Sequence, residues 1–118
     1  MPDYLVSYLL KETNPDIHPD FKKNAMDEGF SDRVLSRNTK GDWKFFVLPH
    51  TTIWGTFDTR DAVQEALLRV EASIPRADLE RYIIVQLDGY RVMSNRTFPG
   101  TPETNEIAQC IAHQRENP

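Results

Sequence analysis

The sequence predicts an α+β fold, and three observations carry this prediction. Segments rich in β-branched and aromatic residues recur along the chain, the first at residues 4–10. Two stretches between these segments place apolar residues at helical spacing. The pair Asp88-Gly89 follows a strand-like segment at residues 81–87 and is typical of a tight turn between antiparallel strands.

The first half of the chain contains one predicted helix and four predicted strands. Residues 4–10 are apolar on both faces, which is typical of a central strand. A helix is expected from about residue 19 to 28, with Phe21, Ala25 and Met26 as its apolar stripe and Gly29 as its end. Three further strands are expected at residues 31–37, 43–48 and 51–57.

The second half contains the clearest helical pattern. Asp58 is the expected N-cap, and Pro75 ends the helix, whose apolar stripe is formed by Val63, Ala66, Leu67, Val70 and Ile74. Strands are expected at residues 81–87 and 90–94, followed by a loop at 95–100. Thr101-Pro102-Glu103 has the order of an N-cap, a first-turn proline and an acidic first turn, so a final helix is expected there, with Cys110 buried on its apolar face.

The order β–α–β–β–α–β, with an additional hairpin strand and a terminal helix, predicts a ferredoxin-like plait. We expect a single domain over residues 1–118, with its core at about 4–94 and a C-terminal loop and helix at 95–118. A plait leaves one face of its sheet without helices. Because the strands are apolar on both faces, that face is expected to be covered by a second copy in a homodimer, which either packs sheet on sheet or exchanges the last strand or helix.

Composition excludes several classes of protein. The chain has 118 residues, and its 14 basic and 18 acidic groups give a net charge of −4, which argues against a double-stranded DNA binder. One cysteine, Cys110, excludes an intramolecular disulfide and favours the cytoplasm. No apolar run approaches the length of a membrane span, and the N-terminus lacks the pattern of a signal peptide.

Candidate catalytic residues lie in two turns. Asp16, His18 and Asp20 place two carboxylates and an imidazole within five residues, which suits either a divalent metal or acid–base site, or a polar turn that caps the following helix. His50, beside two threonines, suits a general base or a phosphate contact, or simply a hairpin turn. The histidines are too scattered for a metal ligand set to be inferred.

A second group of candidates combines charge with aromatic rings. Every lysine lies between Lys11 and Lys44. Around one predicted turn, basic side chains alternate with aromatic ones, as in surfaces that bind single-stranded RNA; they are Arg33, Arg37, Lys40, Trp43 and Lys44. The alternative interpretation is that the aromatic residues belong to the core and the charges to the solvated face.

The opening segment Tyr4-Leu5-Val6-Ser7-Tyr8, the order of elements and the closing strand pair resemble the small CRISPR adaptation-complex nuclease family and its toxin-like relatives. The resemblance covers about residues 4–94. It implies a dimeric ferredoxin-like fold and, as in some members, metal-dependent nuclease activity. The family pattern places a metal-binding aspartate directly after the tyrosine of the first strand. This sequence has Leu9 there, and leucine cannot ligate a hard cation.

Three functional hypotheses follow. The first is a non-enzymatic cytoplasmic homodimer that binds a protein or single-stranded RNA and needs no cofactor. The second is a nuclease dependent on Mg²⁺ or Mn²⁺ that uses Asp16, His18 or Asp20. The third is a small-molecule enzyme in which His50, with Tyr8 or Tyr90, lines a cleft.

Overall fold

A computed structural model describes residues 1–87 and 101–116 of the chain. Its elements confirm the predicted α+β class. In chain order, the described helices and strands are β1 (Asp3–Leu10), α1 (His18–Asp27), β2 (Phe30–Ser31), β3 (Arg33–Arg37), β4 (Trp43–Val47), β5 (Thr52–Thr56), α2 (Arg60–Ala72), β6 (Leu79–Leu87) and α3 (Thr104–Glu116).

The main sheet has four strands in the order β2-β5-β1-β6, and all neighbouring strands are antiparallel. The first strand is central, as predicted, because β5 and β6 pair with its two edges. Leu5 lies opposite Trp54 on one side and opposite Val85 on the other. Directly opposite residues share a face of the sheet, so this register determines which side chains meet on each face.

The hydrophobic core lies between the sheet and the helices α1 and α2. Alternate residues of β1 point to this face, and all of them are buried: Tyr4, Val6, Tyr8 and Leu10. Phe21 of α1 and Leu67 of α2 are fully buried against the same cluster. Burial of a side chain such as Leu67 contributes about 1.5–3 kcal/mol, so this face holds the two helices on the sheet.

The strand predicted at residues 31–37 is in fact two strands in two different sheets. Phe30 and Ser31 pair with β5, whereas Arg33–Arg37 pairs only with β4. The chain bends at Asp32, where the Ser31 hydroxyl accepts a hydrogen bond from the Arg33 N–H at 3.3 Å and donates to the Arg33 carbonyl at 3.0 Å. These local bonds replace ladder bonds, so β3 and β4 form a separate hairpin between β2 and β5.

The helix boundaries differ from the predictions by a few residues. The N-cap of α2 is Thr59 rather than Asp58, and its hydroxyl accepts a hydrogen bond from the Ala62 N–H at 3.1 Å. The helix ends at Ala72, so Pro75 lies beyond it. The helix α3 begins at Thr104, three residues after Thr101, which was the predicted N-cap.

The predicted strand at 90–94 and the loop at 95–100 lie outside the described residues. Within the described part of the chain, no helix has the length and apolar character needed to cross a membrane.

Candidate functional site

Two histidines meet at the end of the sheet where β1 ends. His18 is the first residue of α1, and His50 lies in the turn between β4 and β5. Their ring centroids are 4.7 Å apart, with an angle of 41° between the ring planes. The turn is tied to β1, because the Tyr8 N–H donates a hydrogen bond to the Thr51 carbonyl at 3.0 Å. Residues 32 positions apart in sequence therefore form one imidazole pair.

Charged groups surround this pair. Partial burial lowers the pKa of His50, and the positive charges of Lys22 and His18 lower it further, while Asp16 acts in the opposite direction. The Asp16 carboxylate accepts a hydrogen bond from the His18 N–H at 3.0 Å. The His18 Nδ1 atom is buried and has no hydrogen-bond partner among the described residues. Protein groups among the described residues therefore leave part of the hydrogen-bonding capacity of this pair unused.

The structure thus brings together three of the four residues singled out as catalytic candidates: Asp16, His18 and His50. The fourth, Asp20, is exposed in the first turn of α1. Two residues correspond to a rotation of about 200° around a helix, so Asp20 and His18 are on different sides. Throughout residues 1–87 and 101–113, no group of three or more His, Cys, Asp or Glu side chains is arranged to hold a metal ion.

The predicted basic and aromatic residues lie on the β3–β4 hairpin. Arg37 and Trp43 are directly opposite each other, and the guanidinium carbon lies 4.9 Å from the centre of the Trp43 ring. Lys40 is exposed in the turn, and Lys44 lies opposite Ser36 on the other face. Arg33 is at the base of the hairpin, where its Nε donates to the Asp32 carboxylate at 3.0 Å. The charged and aromatic groups available to a ligand are therefore concentrated at the tip.

A polar cluster that no sequence pattern indicates lies on the second face of the sheet, the face away from α1 and α2. Asp3 is 4% exposed, and its two carboxylate oxygens lie 3.0 and 3.1 Å from Nε2 of His113 on α3. The Thr56 hydroxyl donates a hydrogen bond to the same carboxylate. The pairing of Thr56 opposite Asp3 in the sheet could be inferred once the register was known, but nothing in the sequence indicates that a residue 110 positions later completes the cluster.

A cavity of about 330 Å³ lies beside this cluster, between α3 and the strands β3 and β5. Leu35 and Trp54 form its apolar side, and α3 contributes Glu106, Gln109 and Cys110. Cys110 is half-buried, not buried as expected, and its thiol donates to the Leu35 carbonyl at 3.5 Å. The cavity is separate from the predicted catalytic residues.

For the cleft suggested for His50 with Tyr8 or Tyr90, the structure describes the surroundings of Tyr8. Its ring is buried against Phe21, at 4.8 Å between ring centroids, and its hydroxyl has no hydrogen-bond partner among the described residues. Tyr90 lies outside those residues.

Beside α3, the second face of the sheet carries exposed apolar side chains. Leu9, Ile83 and Val85 are 47%, 60% and 44% exposed, respectively. Ile83 and Val85 lie on β6, opposite Ser7 and Leu5 of β1. We call Leu9, Ile83 and Val85 the open apolar row. Its position on the face away from α1 and α2 follows from the alternation along β1 and β6.

Comparison of this chain with known proteins identifies no relative. No family model matches this chain, and neither a curated protein nor a solved structure matches it significantly.

Proposed function

We propose that this protein is a non-enzymatic interaction module that acts as a cytoplasmic homodimer, in which a second copy packs on the open face of the main sheet. The observation that carries the proposal is the open apolar row, Leu9, Ile83 and Val85, which is exposed to water in a single chain. Contiguous apolar surface of this kind is uncommon on monomers and typical of interfaces.

A second copy of this chain is the partner that best fits the face with the open apolar row. Two sheets pack face to face when apolar side chains from both interdigitate, and a copy of the same row supplies them around a two-fold axis. The helix α3 covers the neighbouring region over β5, where Asp3 and Thr56 hold His113. The row on β1 and β6 lies next to that covered region, and Arg81, opposite Leu9, is the charged residue at its end.

The strand order supports a ferredoxin-like plait with an insertion. If β1, β2, β5 and β6 are its four strands, the order β2-β5-β1-β6 is that of the plait, with α1 and α2 as its two crossing helices. The β3–β4 hairpin then lies between the second and third plait strands. In this architecture the face with the open apolar row is the one that the plait helices leave uncovered.

The dimer is tested by placing a charge in the row. Sedimentation at micromolar concentration is expected to give twice 13.7 kDa, about 27 kDa, for the wild type, and about half that mass for Val85→Asp. A carboxylate buried between two sheets would cost several kcal/mol without a partner. Gln86→Asp is the matched control, because Gln86 is exposed on the opposite face of the same strand, and it should remain dimeric.

Circular dichroism shows whether each variant is folded. A wild-type mass of 13.7 kDa at these concentrations, with native secondary structure, would contradict the proposal.

Single-stranded RNA is a second candidate partner, supported by the contact of Arg37 with Trp43 at the hairpin tip. Base stacking on an aromatic ring contributes about 1–3 kcal/mol, so Trp43→Ala should weaken binding by roughly 5- to 150-fold. Fluorescence anisotropy with a labelled single-stranded RNA measures this. Lys23→Ala, an exposed lysine on α1, is the control and should change affinity little.

The same RNA also tests the nuclease hypothesis. Cleavage that requires Mg²⁺ or Mn²⁺ and is lost in Asp16→Ala or Asp20→Ala would favour a metal-dependent nuclease, as the family resemblance implies, over an interaction module.

In the binding experiment, equal affinity of Trp43→Ala and the wild type for the RNA would exclude the hairpin tip as the RNA site.

A further inference from the structure

We propose that His18, Lys22 and His50 form a binding site for a phosphate group at the end of the sheet where α1 begins. This inference goes beyond the proposed function, since the site lies apart from the open apolar row and from the hairpin tip.

The three side chains converge from two elements. His18 and Lys22 are four residues apart on α1, and residues at this spacing share one side of a helix. His50 reaches the same side from the turn between β4 and β5, with its ring centroid 4.7 Å from that of His18. The turn is anchored through Thr51 to Tyr8 of β1, so the arrangement does not depend on a free loop.

The acidic residues nearby are either held by a backbone hydrogen bond or placed on another side of the helix. Asp16 is engaged by the backbone N–H of His18 at 3.0 Å, and it is the one group that favours the charged form of His50. Asp20 lies about 200° around the helix from His18. After partial burial, Lys22 and His18 are the groups that lower the pKa of His50, because their positive charges lie close to its ring.

A bound dianion offsets these positive charges. Protonated imidazoles and ammonium groups donate strong, charge-assisted hydrogen bonds to phosphate oxygens. A phosphate group carries up to two negative charges near pH 7, because its second pKa is about 6. By reciprocal linkage, an anion that binds the protonated imidazoles more tightly must also raise their pKa.

A phosphate fits these groups better than a metal ion. The Lys22 ammonium would repel a cation. In the part of the chain that the structure describes, the pair is not joined by a third metal-ligating side chain. The buried His18 Nδ1 atom also has no hydrogen-bond partner among the described residues, which is uncommon in folded proteins and leaves the hydrogen-bonding capacity of this imidazole incompletely used.

Proton NMR of the histidine rings tests the site with inorganic phosphate as the probe. The chain has three histidines, so each ring can be followed in the full-length protein. Phosphate added at constant ionic strength is expected to shift the His18 and His50 signals with saturation and to raise the pKa of His50. His113, which is bonded to Asp3 at the opposite end of β1, is the internal control and should not move.

Paired lysine variants identify the site. Lys22→Met should weaken phosphate binding by about tenfold or more, because it removes a charge-assisted bond. Lys23→Met removes an equal charge from an exposed position about 100° from Lys22 around the helix and should leave binding unchanged. The proposal is wrong if chloride produces the same shifts, if His113 responds as His50 does, or if the two lysine variants bind alike. Sedimentation tests the dimer separately, so either result can fail alone.

Discussion

Tyr8 shows how one side chain combines packing with an unsatisfied polar atom. Its ring lies in the core against Phe21, and its hydroxyl is buried without a hydrogen-bond partner among the described residues. Burial raises the pKa of Tyr8 from 10.0 to about 12, and the negative charge of Asp32 adds to the increase. The folded protein therefore holds the phenol proton more tightly than the unfolded chain does.

This difference predicts a pH dependence of stability. Tyr8 contributes its full stabilising effect below about pH 10, and that contribution is lost as the pH rises through about 12. Urea unfolding at pH 9 and pH 11 should show a fall of at most about 2 kcal/mol that is smaller in Tyr8→Phe. Tyr82→Phe, on the neighbouring strand, is the control and should keep the fall seen in the wild type. Equal pH dependence in Tyr8→Phe and the wild type would contradict this account.

The sequence indicates several of the side chains that meet in the structure, but it does not indicate which side chains contact each other. His18 and His50 were both chosen for their chemistry, yet their contact depends on how the β4–β5 turn packs beside α1. Asp3 gave no signal at all, since an acidic residue at the start of a strand is ordinarily solvated. Its burial arises from α3, which returns to the sheet from the far end of the chain.

At the scale of elements, the side chains of His113 and Cys110 join α3 to the sheet through polar contacts. Asp3 and His113 join its last turns to β1, and the Cys110 thiol joins its middle to β3. Replacing one partner of a buried hydrogen-bonded pair costs about 1–3 kcal/mol, because the remaining group is left without its bond. The position of α3 therefore depends on the imidazole of His113.

Removing that imidazole is expected to loosen α3 selectively. In His113→Ala, amide hydrogen exchange should become faster in α3 while α1 and α2 keep their protection, and the unfolding free energy should fall by about 1–3 kcal/mol. Asn105→Ala, at an exposed position of the same helix, is the control. Unchanged exchange in α3 of His113→Ala would show that apolar packing alone holds the helix.

Elements with strong periodicity were predictable, and those decided by local side-chain bonding were not. The apolar stripe of α2 and the strands β1, β4 and β5 were placed close to their observed positions. The division of residues 31–37 was missed, because the hydrogen bonds of the Ser31 hydroxyl to the Arg33 backbone depend on a conformation that propensity does not encode.

At the scale of the whole molecule, the two faces of the sheet are used differently. One is covered by α1 and α2 and forms the core; among the described residues, the other carries α3 and the open apolar row. The strands' apolar character on both faces indicated in advance that a second covering layer is needed. The last helix of the chain supplies part of this layer, and its contact with Asp3 through His113 has no counterpart in the sequence pattern. The proposed dimer interface is thereby limited to the β1–β6 side.

The β3–β4 hairpin leaves the main sheet and returns to it at neighbouring points, since the Leu48 N–H donates to the Asp32 carbonyl at 2.9 Å. Its exposed turn contains Gly41 at a φ of +86°, and no ladder bond of the main sheet passes through it. Lengthening such a loop costs little closure entropy. This tip is therefore a permissive point for grafting a peptide epitope or a fluorescent reporter, through which the protein can be followed without altering its core or its sheet register.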